Sequence, residues 1–96
     1  MKKAYIAGPV SGIESFNRPA FESARDKIKA MGDEAVVPLD ILPYRPELLW
    51  VDYMRADLRE LLSCDEVRAL PGWELSRGAS IEVRLAQSLG IPVFPI

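Results

Sequence analysis

Histidine is missing from this 96-residue chain, and cysteine occurs once, at Cys64. The first absence removes Ser-His-Asp and Cys-His catalysis within one chain, together with histidine-ligated zinc. The second removes an internal disulfide and any thiolate zinc site, and it fits a reducing, cytoplasmic setting. Charge of one sign is also lacking. Twelve Lys and Arg against fourteen Asp and Glu give a net −2, with no basic cluster of the kind nucleic acid requires. No apolar run approaches the ~20 residues of a membrane-spanning helix. Met1-Lys2-Lys3 opens like a signal peptide, but Gly8-Pro9 ends the apolar run after Ala7 too soon. Neither a nucleic-acid nor a membrane partner is therefore expected. Any nucleophile or acid must come from Asp, Glu, Tyr, Lys, Ser or Cys64, and carboxylates dominate that set.

What is present reads as one α/β domain over residues 1–96. Hydrophobic residues make up 49% of the chain, ordinary for a globular protein. Lys3 to Ala7 is a short apolar run typical of a buried strand. Gly8-Pro9-Val10-Ser11-Gly12 follows as a turn-rich loop; it lacks the Gly-Lys-Ser/Thr end of a P-loop. Asn17 to Met31 has helical periodicity, with Ala20, Phe21, Ala24, Ile28 and Met31 on one face. Asn17 or Ser15 suits its N-cap, Pro19 its first turn and Gly32 its end.

Glu34 to Val37 is a second strand, closed by Pro38. Leu39 to Leu49 is an irregular loop broken by Pro43 and Pro46. Trp50 to about Ser63 forms a second helix, and Glu66 to Leu70 a third strand. The last helix starts at Ser76 or Ala79 and runs to Leu89, capped by Gly90. Ile91 to Ile96 is a final strand, placed at an edge by its prolines. Strands alternating with helices predict a mostly parallel sheet of about four strands covered by three helices, Rossmann-like or flavodoxin-like. Ligands of such sheets bind at the carboxyl ends of the strands. The segments Gly8 to Gly12, Pro38 to Tyr44 and Pro71 to Ser80 should meet there.

On a wheel of about 100° per residue, Glu82 falls inside the apolar arc of Ala79, Val83, Leu85, Ala86 and Leu89. It is either a working carboxylate or a glutamate that complements the helix dipole or pairs with an arginine. Asp57 falls at the edge of the second helix's apolar stripe, next to Tyr53, where a solvated role competes with a functional one. Tyr5 is either core or a strand-end donor. Ser76 and Ser80 suit N-caps, and with the helix amides they equally suit an anion such as phosphate. Cys64 reads as a small buried filler. Trp50 and Trp73 suit a subunit interface somewhat better than a base-covering wall.

Three segments together carry a family resemblance: Tyr5-Ile6-Ala7-Gly8, Asp57-Leu58, and Ser76-Arg77-Gly78-Ala79-Ser80-Ile81-Glu82. With Asn17 to Phe21 and Leu70 to Glu74, they span nearly the whole chain. The chain resembles the nucleoside 2-deoxyribosyltransferase superfamily, which includes the deoxynucleoside 5′-monophosphate N-glycosidases. It is most similar to small phage and bacterial members. The resemblance implies Glu82 as nucleophile, Asp57 as the residue handling the proton of the base, and Tyr5 as the residue orienting Glu82. It implies that Gly8 and its loop, with Pro9, Ser11 and Gly12, line the sugar. Ser76 and Gly78, with Ser80 beside them, would hold the 5′ end. It implies a nucleoside or nucleotide ligand, no cofactor or metal, and a homodimer or higher oligomer. Hydrolysis of a nucleoside 5′-monophosphate, base exchange between deoxynucleosides, and nucleotide binding without catalysis are the three functions consistent with it. The chain is shorter than the characterised transferases, and its proline-rich Pro38 to Leu49 stands where polar loops are often found.

Overall fold

The computed structural model describes residues 1–96. Strands β1 (Lys3–Ala7), β2 (Glu34–Val36), β3 (Glu66–Ala69) and β4 (Val93–Pro95) alternate with helices α1 (Arg18–Ala30), α2 (Trp50–Leu61) and α3 (Arg77–Ser88). The sheet order is β2-β1-β3-β4, and all three pairings are parallel. This is the flavodoxin-like order. The chain leaves β1 for β2, then returns to pair β3 on the other side of β1. A crevice opens at that reversal, above the carboxyl ends of β1 and β3.

Alternation along β1 assigns the two faces. Ala4 and Ile6 pack with Phe21, Ala24 and Ile28 of α1. Tyr5 and Ala7 pack with Leu61 from α2 and Val83 and Ala86 from α3. One helix therefore covers one face and two cover the other.

The predicted elements all form, with shifted ends. Helix α1 stops at Ala30 before Gly32, whose φ of +84° suits only glycine well. Met31, placed on the core face by periodicity, is 54% exposed because the helix has ended. Asn17 sits at the N-cap position but in a left-handed conformation, so its side chain makes no cap bond. It instead donates to the Pro9 carbonyl at 2.9 Å. The predicted loop from Leu39 opens with a short 3-10 turn at Pro38–Asp40. Farther along, the Tyr53 hydroxyl pins this loop to α2, accepting from the Arg45 N–H at 2.8 Å and donating to its carbonyl at 3.1 Å. Strand β4 is an edge strand, where Pro95 removes an outward N–H. No helix is long and apolar enough to cross a membrane.

Candidate active site

Helix α3 delivers Glu82. Ser76 caps it, its Oγ accepting the Ala79 N–H at 3.2 Å, which fixes the helix start and places Glu82 in the second turn. The residue faces the sheet and is 4% exposed. From β1, on the same face, the fully buried Tyr5 meets it. The Tyr5 hydroxyl donates to Glu82 Oε2 across 2.5 Å. One carboxyl oxygen is thereby held and oriented.

Helix α2 delivers Asp57, half-buried in the third turn. Asp57 and Glu82 line one cavity of about 940 Å³. Burial pushes Glu82 up to about 8; the hydrogen bond from Tyr5 pulls it down, and the charge of Asp57 raises it again. Burial alone pushes Asp57 up to about 7. Tyr5 is raised well above its ordinary value by burial and by the two carboxylates. It therefore stays a donor throughout the neutral range. Two carboxyls with raised affinity for protons beside one cavity form a unit that can hold a single proton near neutrality.

The three strand-end segments do meet. Gly8, Pro9 and Ser11 line the cavity from the β1 side, and Ser76 and Gly78 from the α3 side. Tyr5 stands behind Glu82 rather than on the wall. Gly12 and Ser80 stay off the wall. Gly12 turns the loop at φ +79° with open space around it. The Ser80 hydroxyl is turned to the carbonyls of Trp73 and Glu74, each at 3.2 Å, so it braces the turn before α3. Gly8 and Gly78 have packing reasons of their own. A Cβ on Gly8 would lie 2.6 Å from Leu70 Cδ1, and one on Gly78 would lie 3.1 Å from Met54 Sδ.

Several wall residues escaped sequence reasoning. Phe16 and Tyr44 pack together at 5.7 Å between ring centroids. Arg18 pairs with Asp40 at 3.1 Å. Trp50, for which the sequence left an interface and a base-covering wall both open with a lean to the interface, lies on the cavity wall, with the Arg77 guanidinium 4.2 Å from its ring centre. The second turn of the loop after β1 carries no sequence signal for a left-handed path, so Phe16 could not be placed. Trp73 is half-buried and packs against the core beneath α2 and α3. Cys64 is buried, its thiol donating to the Glu60 carbonyl at 3.3 Å and pushed up to about 11 by burial, as an inert filler should be. No group of three or more Cys, Asp or Glu side chains is arranged to hold a metal ion.

The structure is similar to that of a 2-deoxyribosyltransferase from the psychrotolerant bacterium Bacillus psychrosaccharolyticus, at TM-score 0.74 and 19% identity. That likeness covers 97% of this chain and 70% of the other. A 2-desoxiribosyltransferase from Leishmania mexicana is similar at TM-score 0.75 and 20% identity, over 100% of this chain and 64% of that one. A conserved protein from Enterococcus faecalis V583 is similar at TM-score 0.72 and 25% identity, over 99% and 62%. The chain thus spans less than two thirds of the length of the last two. The resemblance read from the sequence holds at the level of fold. No protein of curated function matches the sequence. The model of the family described as "Domain of unknown function (DUF4406)" matches residues 2–95, and the chain belongs to that family.

Proposed function

We propose that this protein cleaves the N-glycosidic bond of a nucleoside or nucleoside 5′-monophosphate, with Glu82 as nucleophile. The observation that carries the reading is one buried carboxyl held by the Tyr5 hydroxyl and sharing a cavity with a second carboxyl, Asp57. The fold it shares with 2-deoxyribosyltransferases supports the same type of bond as target. Such a bond breaks through an oxocarbenium-like state, which a carboxylate in a water-poor site stabilises strongly.

With the shared proton on Asp57, the ionised Glu82 attacks the anomeric carbon through its free oxygen while the bond to the base nitrogen breaks. The bonding electrons leave with the base, and Asp57 gives that base a proton. A water then attacks the same carbon, Asp57 takes the proton back, and Glu82 departs as a carboxylate. In base exchange a second base replaces the water. Gly8, Pro9 and Ser11 are assigned to the sugar. Ser76 and Gly78, at the positive end of α3 with Arg77 beside them, are assigned to the 5′ end. A 5′-phosphate suits that end, so hydrolysis of the monophosphate comes first and base exchange second. The working form is proposed as a cytosolic homodimer. Exposed apolar residues on and beside α2 and α3, Val51, Leu62 just past the end of α2, and Ile81 among them, supply surface for it, and light scattering tests it.

The deciding experiment is chromatography of released base after incubation with nucleosides and their 5′-monophosphates. Release in the parent and none in Glu82→Ala is expected. Release that persists in Glu82→Ala sinks the mechanism. Tight nucleotide binding with no release from any substrate makes the protein a binding module instead.

A further inference from the structure

One face of the sheet is covered and half of the other is bare. Helix α3 packs on β1, β3 and β4 from one side. On the other side α1 packs on β1 and β2, and no helix follows it over β3 and β4. A parallel sheet normally carries helices across both faces. The bare half, two strands wide, spans about 10 Å. Packed helices stand about 8–10 Å apart, so one further helix fits beside α1.

Register puts Glu66, Arg68 and Phe94 on this half, on the same side as Ala4 and Ile6. Phe94 is 40% exposed, and Met31 at the end of α1 is 54% exposed. Ile96 is half-buried against the core under α1. At about 100° per residue, Ala20, Lys27 and Met31 share one flank of α1. It leans toward β3 and β4, since Arg25 and Lys29 on the opposite flank border β2.

Charge distinguishes what could cover this half. Glu66 is 2% exposed, sealed beneath Arg68 Nε at 2.5 Å and Lys2 Nζ at 3.6 Å. The Arg68 guanidinium also lies 4.8 Å from the centre of the Phe94 ring. Held from two sides, it has little rotamer freedom left to lose on binding, and its two terminal nitrogens have no partner. Lys2 and Lys27 are exposed. Asp33, the other acid beside Lys2, accepts the Lys2 N–H at 3.0 Å. The charges presented outward are therefore positive, on a chain of net −2. Two copies laid face to face about a two-fold axis would set these cations against themselves.

We propose that the β3–β4 half of the sheet is a docking surface for an amphipathic helix of another protein. Its apolar stripe lies on Phe94, Ile96 and Met31, and its carboxylates meet Arg68, Lys2 and Lys27. At Arg68 the fixed guanidinium suits bidentate pairing with a carboxylate. The surface lies behind the sheet from Glu82 and from the exposed residues of α2 and α3, so it stands independently of the glycosidic reading.

Recognition by an apolar stripe and by sign does not depend on one sequence, so a synthetic helix tests it. The probe is a fluorescein-labelled peptide of about 18 residues, five turns, with a leucine stripe flanked by glutamates. A second peptide carries lysine in place of each glutamate. Fluorescence anisotropy should show the acidic peptide bound with Kd below about 100 μM, and at least about tenfold more tightly than the basic one. Phe94→Ser and Lys27→Glu should each weaken binding by about fivefold or more, and Arg68→Gln by about tenfold or more. Phe94 and Lys27 are exposed, so their variants decide the matter even if Arg68→Gln, which leaves Glu66 short of a partner, fails to fold. Ile81→Ser, on the opposite side of the sheet, should bind like the parent. No binding of the acidic peptide at about 1 mM overturns the proposal, as does equal binding of the two peptides. Binding unchanged in Phe94→Ser, or lost as much in Ile81→Ser, overturns it too. Self-association of the parent that sedimentation shows to be lost in Phe94→Ser makes the occupant a second copy and overturns the proposal as well.

Discussion

Replacing Glu82 by glutamine should make the protein more stable in alkaline solution while leaving it nearly unchanged in acid. The folded state holds the Glu82 proton up to about pH 8, against an ordinary value of 4.5. Between those values the folded protein binds more protons than the unfolded chain, so stability falls as pH rises and levels off above about 8. The shift corresponds to about 5 kcal/mol, a large share of the roughly 5–14 kcal/mol that a chain of this length commands. Glutamine keeps the shape and still accepts from the Tyr5 hydroxyl, but it never ionises. Urea unfolding followed by the fluorescence of Trp50 and Trp73 measures the difference. With m near 1–2 kcal/mol/M, the two midpoints should lie within about 1 M at pH 5 and separate by about 2–5 M at pH 9. Asp57, raised to about 7 by burial, acts in the same direction, so the variant keeps some slope between pH 4 and 7. Midpoints of parent and variant that run parallel from pH 5 to pH 9 would refute the reasoning, because Glu82 would then ionise without cost.

Tyr5→Phe removes the hydroxyl that pulls Glu82 down. Stability should drop by about 1–3 kcal/mol as a buried acceptor loses its partner, and the alkaline fall in stability should move to higher pH, both read from the same urea series. Cleavage needs one proton on the carboxyl pair, so kcat/KM should follow a narrow bell with limbs near pH 7 and 8. Asp57→Asn should slow release most for poor leaving groups and abolish one limb; a pH profile identical to the parent's would remove Asp57 from the proton transfer. Gly8→Ala forces a methyl into Leu70, 2.6 Å away, and should cost about 1–3 kcal/mol, seen as a lower thermal midpoint. An unchanged midpoint would mean the strand ends yield easily and that Gly8 serves ligand approach alone.

Glu82 was legible because helical periodicity is a strong signal and a charge inside an apolar arc has few explanations. Its partner was legible only in halves. Alternation puts Tyr5 opposite Ala4 and Ile6, but which face meets α3 depends on the crossover, which periodicity does not encode. Ser76 and Ser80 look alike in sequence, since both suit a helix entrance. The cap at Ser76 and the turn at Trp73–Leu75 separate them, leaving Ser80 within reach of two carbonyls. Glu66 read simply as the start of a strand. It is buried because Arg68, two residues along the same face, reaches it at 2.5 Å; the pairing is local and alternation could have found it. Gly8 and Gly78 were tied to a ligand through the family resemblance, and each also answers to a neighbouring side chain. Phe16 was the least accessible. Its left-handed turn runs against the preference of Ser15 and Phe16, though Asn17 tolerates it, and the contacts holding it come from Pro9 and Asp40. Local propensity describes what a segment does alone, so a conformation imposed by Pro9 earlier in the loop and by Asp40 in the next one is invisible to it. Such departures gather where the chain meets a ligand, and here the departure lies on the wall of the cavity that holds Glu82.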